Sequence, residues 1–222
     1  MGCMDMLFGN PNVKNQLRGR TDSQQKAILY FLNGTGGCFG TKACTDNEYD
    51  AMVKSALRTV ATKEQALNKL GIDIDQVSEI EPVRLEGWFS SGGNPQYAKR
   101  GLDNMFRSSG YRVTWFFFSS EQMYVYQYVF YTTEDKKQIR SEEYFYRDIT
   151  NFSTTTNTVE YTKSEGGGCM SQPTTQRSTE NEDVFSLVVP GDKFEASMTQ
   201  SEYTQKAIRA MQQKLREKKT SM

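Results

Sequence analysis

Cysteine and glycine are the residue types whose spacing in this sequence could support chemistry, because histidine is absent. Without histidine the chain has no Ser-His-Asp or Cys-His catalytic arrangement and no histidine-ligated zinc. The HExxH helix of zinc proteases is excluded for the same reason. A general base working near neutral pH would have to be a carboxylate, lysine or cysteine with a strongly shifted pKa.

The cysteines do not form a recognisable site. They stand at Cys3, Cys38, Cys44 and Cys169, and no two of them make a CxxC pair. A zinc site needs a second pair of ligands at matching spacing, which the sequence lacks. We therefore predict unrelated reduced thiols and no metal. Cys38 would act as a nucleophile only if a lysine, an arginine or a helix N-terminus lowered its pKa.

The segment from Gly34 to Gly40 (GTGGCFG) is the glycine-rich candidate for an anion site. A phosphate cradle needs successive backbone N–H groups that point at the anion. The spacing matches neither GxxxxGK[ST] nor GxGxxG, because the last glycine of the second pattern comes one residue late. We predict a flexible connection between helices, and no cofactor.

Carboxylates are the remaining candidates. The acidic stretch from Asp73 to Glu86 fails the EF-hand order, because Val77 stands at the third ligand position and Ser78 where glycine is needed. Glu142 and its neighbour Glu143 would face opposite sides of a strand, so they do not converge as a glycosidase pair does. The sequence therefore predicts a protein that is not an enzyme.

Helix signals dominate residues 1–80. Three T-x-x-[EQ] capping boxes, each ahead of an apolar-periodic segment, predict three helix starts. They begin at Thr21, Thr45 and Thr62. Gly71 is a suitable end for the third helix.

Strand signals dominate residues 81–222. Seven segments are rich in β-branched and aromatic residues: 83–89, 111–119, 123–132, 139–147, 151–161, 184–189 and 193–198. The second and third read as a hairpin, and apolar residues on both faces of 123–132 predict cover on both sides. Pro190-Gly191-Asp192 predicts a tight turn. Residues 163–182, with their glycine run and polar composition, predict a surface loop.

A helix follows the last predicted strand. Thr199 and Glu202 match a capping box, and an apolar stripe repeats at three and four residues through Ile208. Its last turns carry a group of cations that could meet an anionic surface: Lys214, Arg216, Lys218 and Lys219.

This order of elements predicts an α+β protein, with N-terminal helices (1–80) followed by an antiparallel barrel of about seven strands capped by the C-terminal helix (81–222). Segments 142–154 (EEYFYRDITNFST), 185–197 and 206–219, with a linker at 73–83, resemble uncharacterised bacterial proteins with a pleckstrin-homology-like (PH-like) barrel. The resemblance covers about residues 45 to 219. It implies the fold and adds no catalytic motif.

Charge and targeting signals narrow the functional classes. The 27 basic and 27 acidic residues balance, unlike a typical nucleic-acid-binding domain, so we predict no nucleic-acid partner. No signal-peptide pattern or run of roughly 20 apolar residues is present, so we expect a cytoplasmic protein.

Two kinds of partner remain open from the sequence. We predict a binding or scaffolding role with a protein or peptide partner, because the strand pattern is strong and no catalytic group stands out. The alternative is a peripheral membrane module, in which the cations at 214, 216, 218 and 219 contact anionic lipid, each contributing roughly 1 kcal/mol.

Overall fold

The computed structural model describes residues 15–32, 44–90, 97–165 and 174–220, without the side chains of 162–165 and 174–176. Among the predicted features, the glycine-rich segment 34–40, the glycine run 166–168 and three of the cysteines (Cys3, Cys38 and Cys169) lie outside the described residues. Within these residues the protein is α+β, as predicted: helices come first, antiparallel strands follow, and one long helix comes last.

The four longer helices are α1 (Asp22–Leu32), α2 (Asp46–Thr59), α3 (Lys63–Leu70) and α4 (Glu202–Thr220). The first three begin where the capping boxes predict. At the first three starts a threonine hydroxyl accepts from the backbone N–H three residues later, and that residue's side chain accepts from the threonine N–H. Gly71 ends α3 at φ 68°, and a short 3₁₀ helix (Ile74–Val77) leads to the strands.

The strands form two larger sheets and one ribbon. In chain order they are β1 (Val83–Trp88), β2 (Ala98–Arg100), β3 (Phe106–Ser108), β4 (Gly110–Phe118), β5 (Gln122–Tyr131), β6 (Lys137–Phe145), β7 (Asn151–Glu165), β8 (Thr174–Val189) and β9 (Asp192–Met198). The first sheet has the order β1-β4-β5-β6, the second β7-β8-β9, and β2 pairs with β3; every pairing is antiparallel.

Several predictions about the strands need correction. Across the described residues no ladder closes the sheets into a barrel, and the named strands number nine, so neither the barrel nor the count of about seven is confirmed. The loop predicted at 163–182 is wrong where it is described, since β7 runs to Glu165 and β8 starts at Thr174. Its serine and threonine content is compatible with a solvated hairpin as well as with a loop.

The two larger sheets share one core with α4. Phe116 of the first sheet meets Phe185 and Phe194 of the second edge-to-face, at centroid distances of 5.6 and 6.1 Å. The apolar stripe of α4, including Met211 and Leu215, is buried in the same cluster. The predicted inward face of the last helix is therefore confirmed.

The start of α4 is fixed by a residue other than the predicted one. Thr199 does not cap the helix; its backbone N–H donates to Glu86 O of β1 at 2.8 Å. Ser201 caps instead, accepting from the backbone N–H of Thr204 at 3.0 Å. The backbone N–H of Thr199 that a capping box would use is therefore already bonded to β1.

Helices cover the other face of the first sheet. Ala66 of α3 and Ala61 before it pack with Phe117 and Tyr126. Trp115 Nε1 donates to Ala61 O at 2.7 Å. The prediction that both faces of β5 are covered is confirmed, because Tyr126 lies under these helices while Val125 lies in the core with α4.

Candidate interaction surfaces

The predicted basic group on α4 is engaged with the rest of the chain. Lys214 pairs with Glu79, and Lys218 donates to Ser120 O at 2.7 Å. The side chains of Lys214 and Lys218 are only 13% and 20% exposed. The hydrogen bond from Lys214 lowers the pKa of the Glu79 carboxyl. These two lysines fasten the helix to the first sheet.

The other two cations contact the start of β7. Lys219 donates to Thr150 O at 3.0 Å. The Arg216 guanidinium lies 5.9 Å from the centroid of the Phe152 ring. All four predicted residues therefore contact other parts of the chain, and their binding of anionic lipid stays a prediction.

The described catalytic candidates do not converge. Cys44 is half-buried, and burial raises the pKa of its thiol, which is the opposite of what a nucleophile needs. Glu142 pairs with Arg140 at 2.8 Å, while Glu143 faces the other side of β6. No group of three His, Cys, Asp or Glu side chains in the described residues could hold a metal ion.

An ion-pair cluster that the sequence does not reveal joins α2 to the β2–β3 ribbon. Arg107 of β3 is 3% exposed. Its guanidinium donates to both oxygens of Asp50 at 2.7 and 2.6 Å and to both oxygens of Asp103 at 2.8 and 2.7 Å. These bonds raise the pKa of Arg107 and hold that of Asp103 well below its usual range. The cluster fixes the ribbon on the helix.

The turn between β2 and β3, residues 101–105, is held from several sides; we call it the 101–105 loop. Gly101 N donates to Met105 O at 2.9 Å, and Leu102 N donates to the carboxylate of Asp46 at 2.7 Å. A Cβ on Gly101 would collide with the ends of the Arg107 and Asp46 side chains, which would have to shift to admit a larger residue. The loop backbone therefore has little freedom.

This rigid loop presents two apolar side chains to solvent. Leu102 is 81% exposed and Met105 is 61% exposed, the two highest values among the large apolar side chains described. The carboxylates beside them belong to Asp103 and Asp50, whose side chains are 40% and 47% exposed. The guanidinium of Arg107, which pairs with both, is buried. The surface is therefore apolar with an acidic border.

Two stacked tyrosines pack next to the 101–105 loop and its partner Asp46. Tyr30 of α1 stacks on Tyr49 of α2 at 4.5 Å and donates to Asp46 at 2.7 Å. Lys99 Nζ lies 3.7 Å from the Tyr30 ring centroid and donates to Tyr30 O at 2.5 Å. Burial lowers the pKa of Lys99 to about 8. The ribbon thus carries a lysine that is partly neutral at mildly alkaline pH.

A shallow cavity lies at the opposite end of α2, between α3 and the first sheet; we call it the α3 cavity. Its volume is about 420 Å³. Its floor is apolar and aromatic and is formed by Val60, Ala61, Tyr126 and Tyr128. Its rim is polar and is formed by Thr59, Gln65, Asn68 and Lys69.

The outer edge of β7 is the third exposed feature. Within the described residues β7 pairs with β8 alone. Residues 154–158 are all exposed, and no charged residue, proline or glycine occurs from Ile149 to Val159. At its far end the β2–β3 ribbon lies beside β7, with the rings of Phe106 and Tyr161 4.9 Å apart. The uncovered part, residues 153–158, is what we call the β7 edge.

Comparison with protein-family models, curated proteins and solved structures finds no match to this chain. The resemblance to PH-like proteins therefore stays a prediction. No helix among the described residues has the length and apolar character that crossing a bilayer requires.

Proposed function

We propose that this protein is a non-enzymatic binding or scaffolding protein that takes an extended peptide of a partner as an added strand on the β7 edge. The framework we propose for it is PH-like: two antiparallel sheets around one core with α4 at its side. The observation that supports this most strongly is the length and openness of β7.

An edge strand presents unpaired backbone N–H and C=O groups. Proteins usually protect such edges with lysine, proline, bulges or short strands, since an open edge pairs with other chains. β7 has 15 residues and pairs with β8 without a break in register from Asn151 to Glu165. None of the usual guards occurs along residues 153–158, so a peptide strand can pair there through backbone hydrogen bonds.

The side chains of β7 leave room for such a strand. Residues 153–158 are serine, threonine and asparagine, which are short and do not shield the backbone. Phe152, just before this edge, packs against the core with the Arg216 guanidinium over its ring. We expect bound peptides to be extended and rich in β-branched residues, which pair well across strands.

Proline substitution tests the backbone contact directly. Successive residues of a strand point their N–H groups to opposite edges, so Thr154→Pro and Thr155→Pro divide into two cases. One removes a hydrogen bond to β8 and lowers stability. The other removes only an outward N–H and blocks an added strand while the fold persists. Urea denaturation identifies which variant is which.

The binding measurement uses peptides selected on the wild-type protein from a phage-displayed random library. We expect the outward proline variant to bind them about tenfold more weakly or worse, the loss of at least one backbone hydrogen bond. The alanine variant at the same position keeps its N–H and serves as the matched control, with affinity unchanged. Selected peptides that bind the proline variant as tightly as the wild type would refute the proposal.

A further inference from the structure

The 101–105 loop shows the properties of an interface anchor. Leu102 and Met105 are 81% and 61% exposed, yet the backbone that carries them is tied to Asp46 and packed against Arg107. Methionine is enriched in the buried centres of interfaces, and a loop that is already held in one conformation loses little freedom on binding. The loop therefore fits a complementary pocket with a cationic rim.

The charges along α2 and its neighbours differ in sign between its two ends. Acids outnumber cations at the loop end: Asp46, Glu48, Asp50 and Asp103 against Lys99, Arg100 and the buried Arg107. At the other end of α2 three cations outnumber one acid. The cations are Arg58, Lys63 and Lys69, and the acid is Glu64. The exposed apolar side chains lie at the acidic end, and the α3 cavity opens at the basic end. Each end of α2 thus carries a small net charge opposite in sign to that of the other end, and such charges attract.

We propose that the protein assembles head to tail with copies of itself, the 101–105 loop of one copy entering the α3 cavity of the next. Leu102 and Met105 contact the apolar floor that includes Val60 and Tyr128. The carboxylate of Asp103 lies near Lys69 on the rim. This inference is independent of the β7 edge.

The distance between the two surfaces determines the form of the assembly. They lie at opposite ends of a 14-residue helix, which is about 20 Å long at 1.5 Å per residue. Two different surfaces that meet in this way form a heterologous contact, and such contacts build open chains or rings rather than closed two-fold dimers. The contact is small, so we expect it to be weak and to form only at high concentration.

Two variants separate the two halves of the contact. L102S/M105S removes the apolar anchor at exposed positions. N68E/K69E places two carboxylates on the rim of the α3 cavity, also at exposed positions. Tyr203→Ser, a substitution of an apolar side chain that is 59% exposed on α4, is the matched control. Circular dichroism melting curves show whether each variant retains the wild-type fold.

Sedimentation velocity of the full chain at rising concentration, up to millimolar, is the test. We expect the wild type and Y203S to sediment faster as concentration rises, and more weakly so in high salt. Both double variants stay monomeric alone. Mixed in equal amounts they form a dimer and nothing longer, because one intact loop and one intact cavity remain between them.

Three results would overturn the proposal. A wild type that stays monomeric at millimolar concentration has no such contact. Association of L102S/M105S alone at wild-type strength shows that the loop is not the anchor. A mixture of the two folded variants that stays monomeric shows that the loop and the α3 cavity are not partners.

Discussion

The 101–105 loop and the β7 edge expose opposite parts of the polypeptide. The loop hides its backbone in hydrogen bonds to Asp46 and to itself, and exposes the apolar side chains of Leu102 and Met105. The β7 edge exposes its backbone and carries only short polar side chains. One chain can therefore expose apolar side chains on a constrained backbone in one region and an unpaired strand edge with polar side chains in another.

Among the substitutions that test this comparison, we expect the largest loss of stability from Arg107→Met. Arg107→Met removes hydrogen bonds to two carboxylates from a side chain that is 3% exposed. We expect a loss of about 2–4 kcal/mol in the free energy of unfolding, toward the low end because Asp50 and Asp103 remain partly in water. Urea denaturation measures it, with hydrogen exchange of the loop amides as a second readout.

Lysine at position 107 is the control for charge alone. It keeps a cation but cannot form the paired contacts of a guanidinium, so Arg107→Lys should recover only part of the loss. If Arg107→Met costs less than about 1 kcal/mol, the loop is not held by this cluster and the contrast with β7 disappears.

Gly101→Ala should have the next largest effect. The added Cβ collides with side-chain ends of Arg107 and Asp46, which move at a cost of about 1–2 kcal/mol. Thermal melting measures the loss. Ala98→Gly on the same ribbon is the control, because it changes backbone freedom without adding a colliding atom. Gly19→Ala is unsuitable, because the positive φ of Gly19 would strain an alanine there. Equal melting temperatures for Gly101→Ala and the wild type would show that the loop has spare room.

The pH dependence of stability should reveal the buried lysine of the ribbon. The pKa of Lys99 is lowered by burial to about 8, below the value of about 10.4 expected in the unfolded chain. The unfolded state then binds more protons between these values, so stability from this group rises with pH from about 8 to 10. Lys99→Met should lack the rise, and the difference between the two unfolding curves isolates it.

Tyrosines act in the opposite direction at higher pH. Burial raises the pKa of Tyr30 and of Tyr49, so they favour the unfolded state once its tyrosines ionise, above about pH 10. The stabilising effect of raising the pH through the Lys99 range should therefore be opposed by the tyrosines above about pH 10. A difference between wild type and Lys99→Met that stays flat from pH 8 to 10 would contradict the assignment.

The smallest effect is expected on β7. Thr154→Ala and Thr156→Ala change exposed side chains and should alter the free energy of unfolding by no more than about 0.5 kcal/mol. Urea denaturation measures both. Thr156 also donates to Asp183 at 2.6 Å, so a loss above 1 kcal/mol at 156 alone would show that this side chain, and not only the backbone, supports the edge.

Local signals predict much of the fold, and long-range contacts explain what they miss. Thr45 and Glu48 predict the start of α2, because a capping box needs only four consecutive residues. Thr199 and Glu202 show the same pattern, but Thr199 N–H is taken by Glu86 of a distant strand. A local pattern cannot reveal such competition.

The candidate surfaces were less accessible to sequence reasoning than the fold. Arg107 and Asp50 lie far apart in the chain, and each alone is an ordinary charged residue. Leu102 lies in a turn rather than in a helix or strand, so no apolar periodicity in the sequence indicates its exposure. The β7 edge is different: its threonine-rich segment is visible in the sequence, and the prediction erred only in ending the strand at residue 161.

The bond between Thr199 and Glu86 also bears on the rate of folding. It joins the first strand to the segment after the last, and β1 lies beside β9. Closing a loop of that length costs entropy before any core contact offsets it. The hairpins from β4 to β6 involve neighbouring segments and can form without that cost. We expect β9 and α4 to dock last, and the protein to refold in milliseconds to seconds, the range of folds rich in non-local contacts.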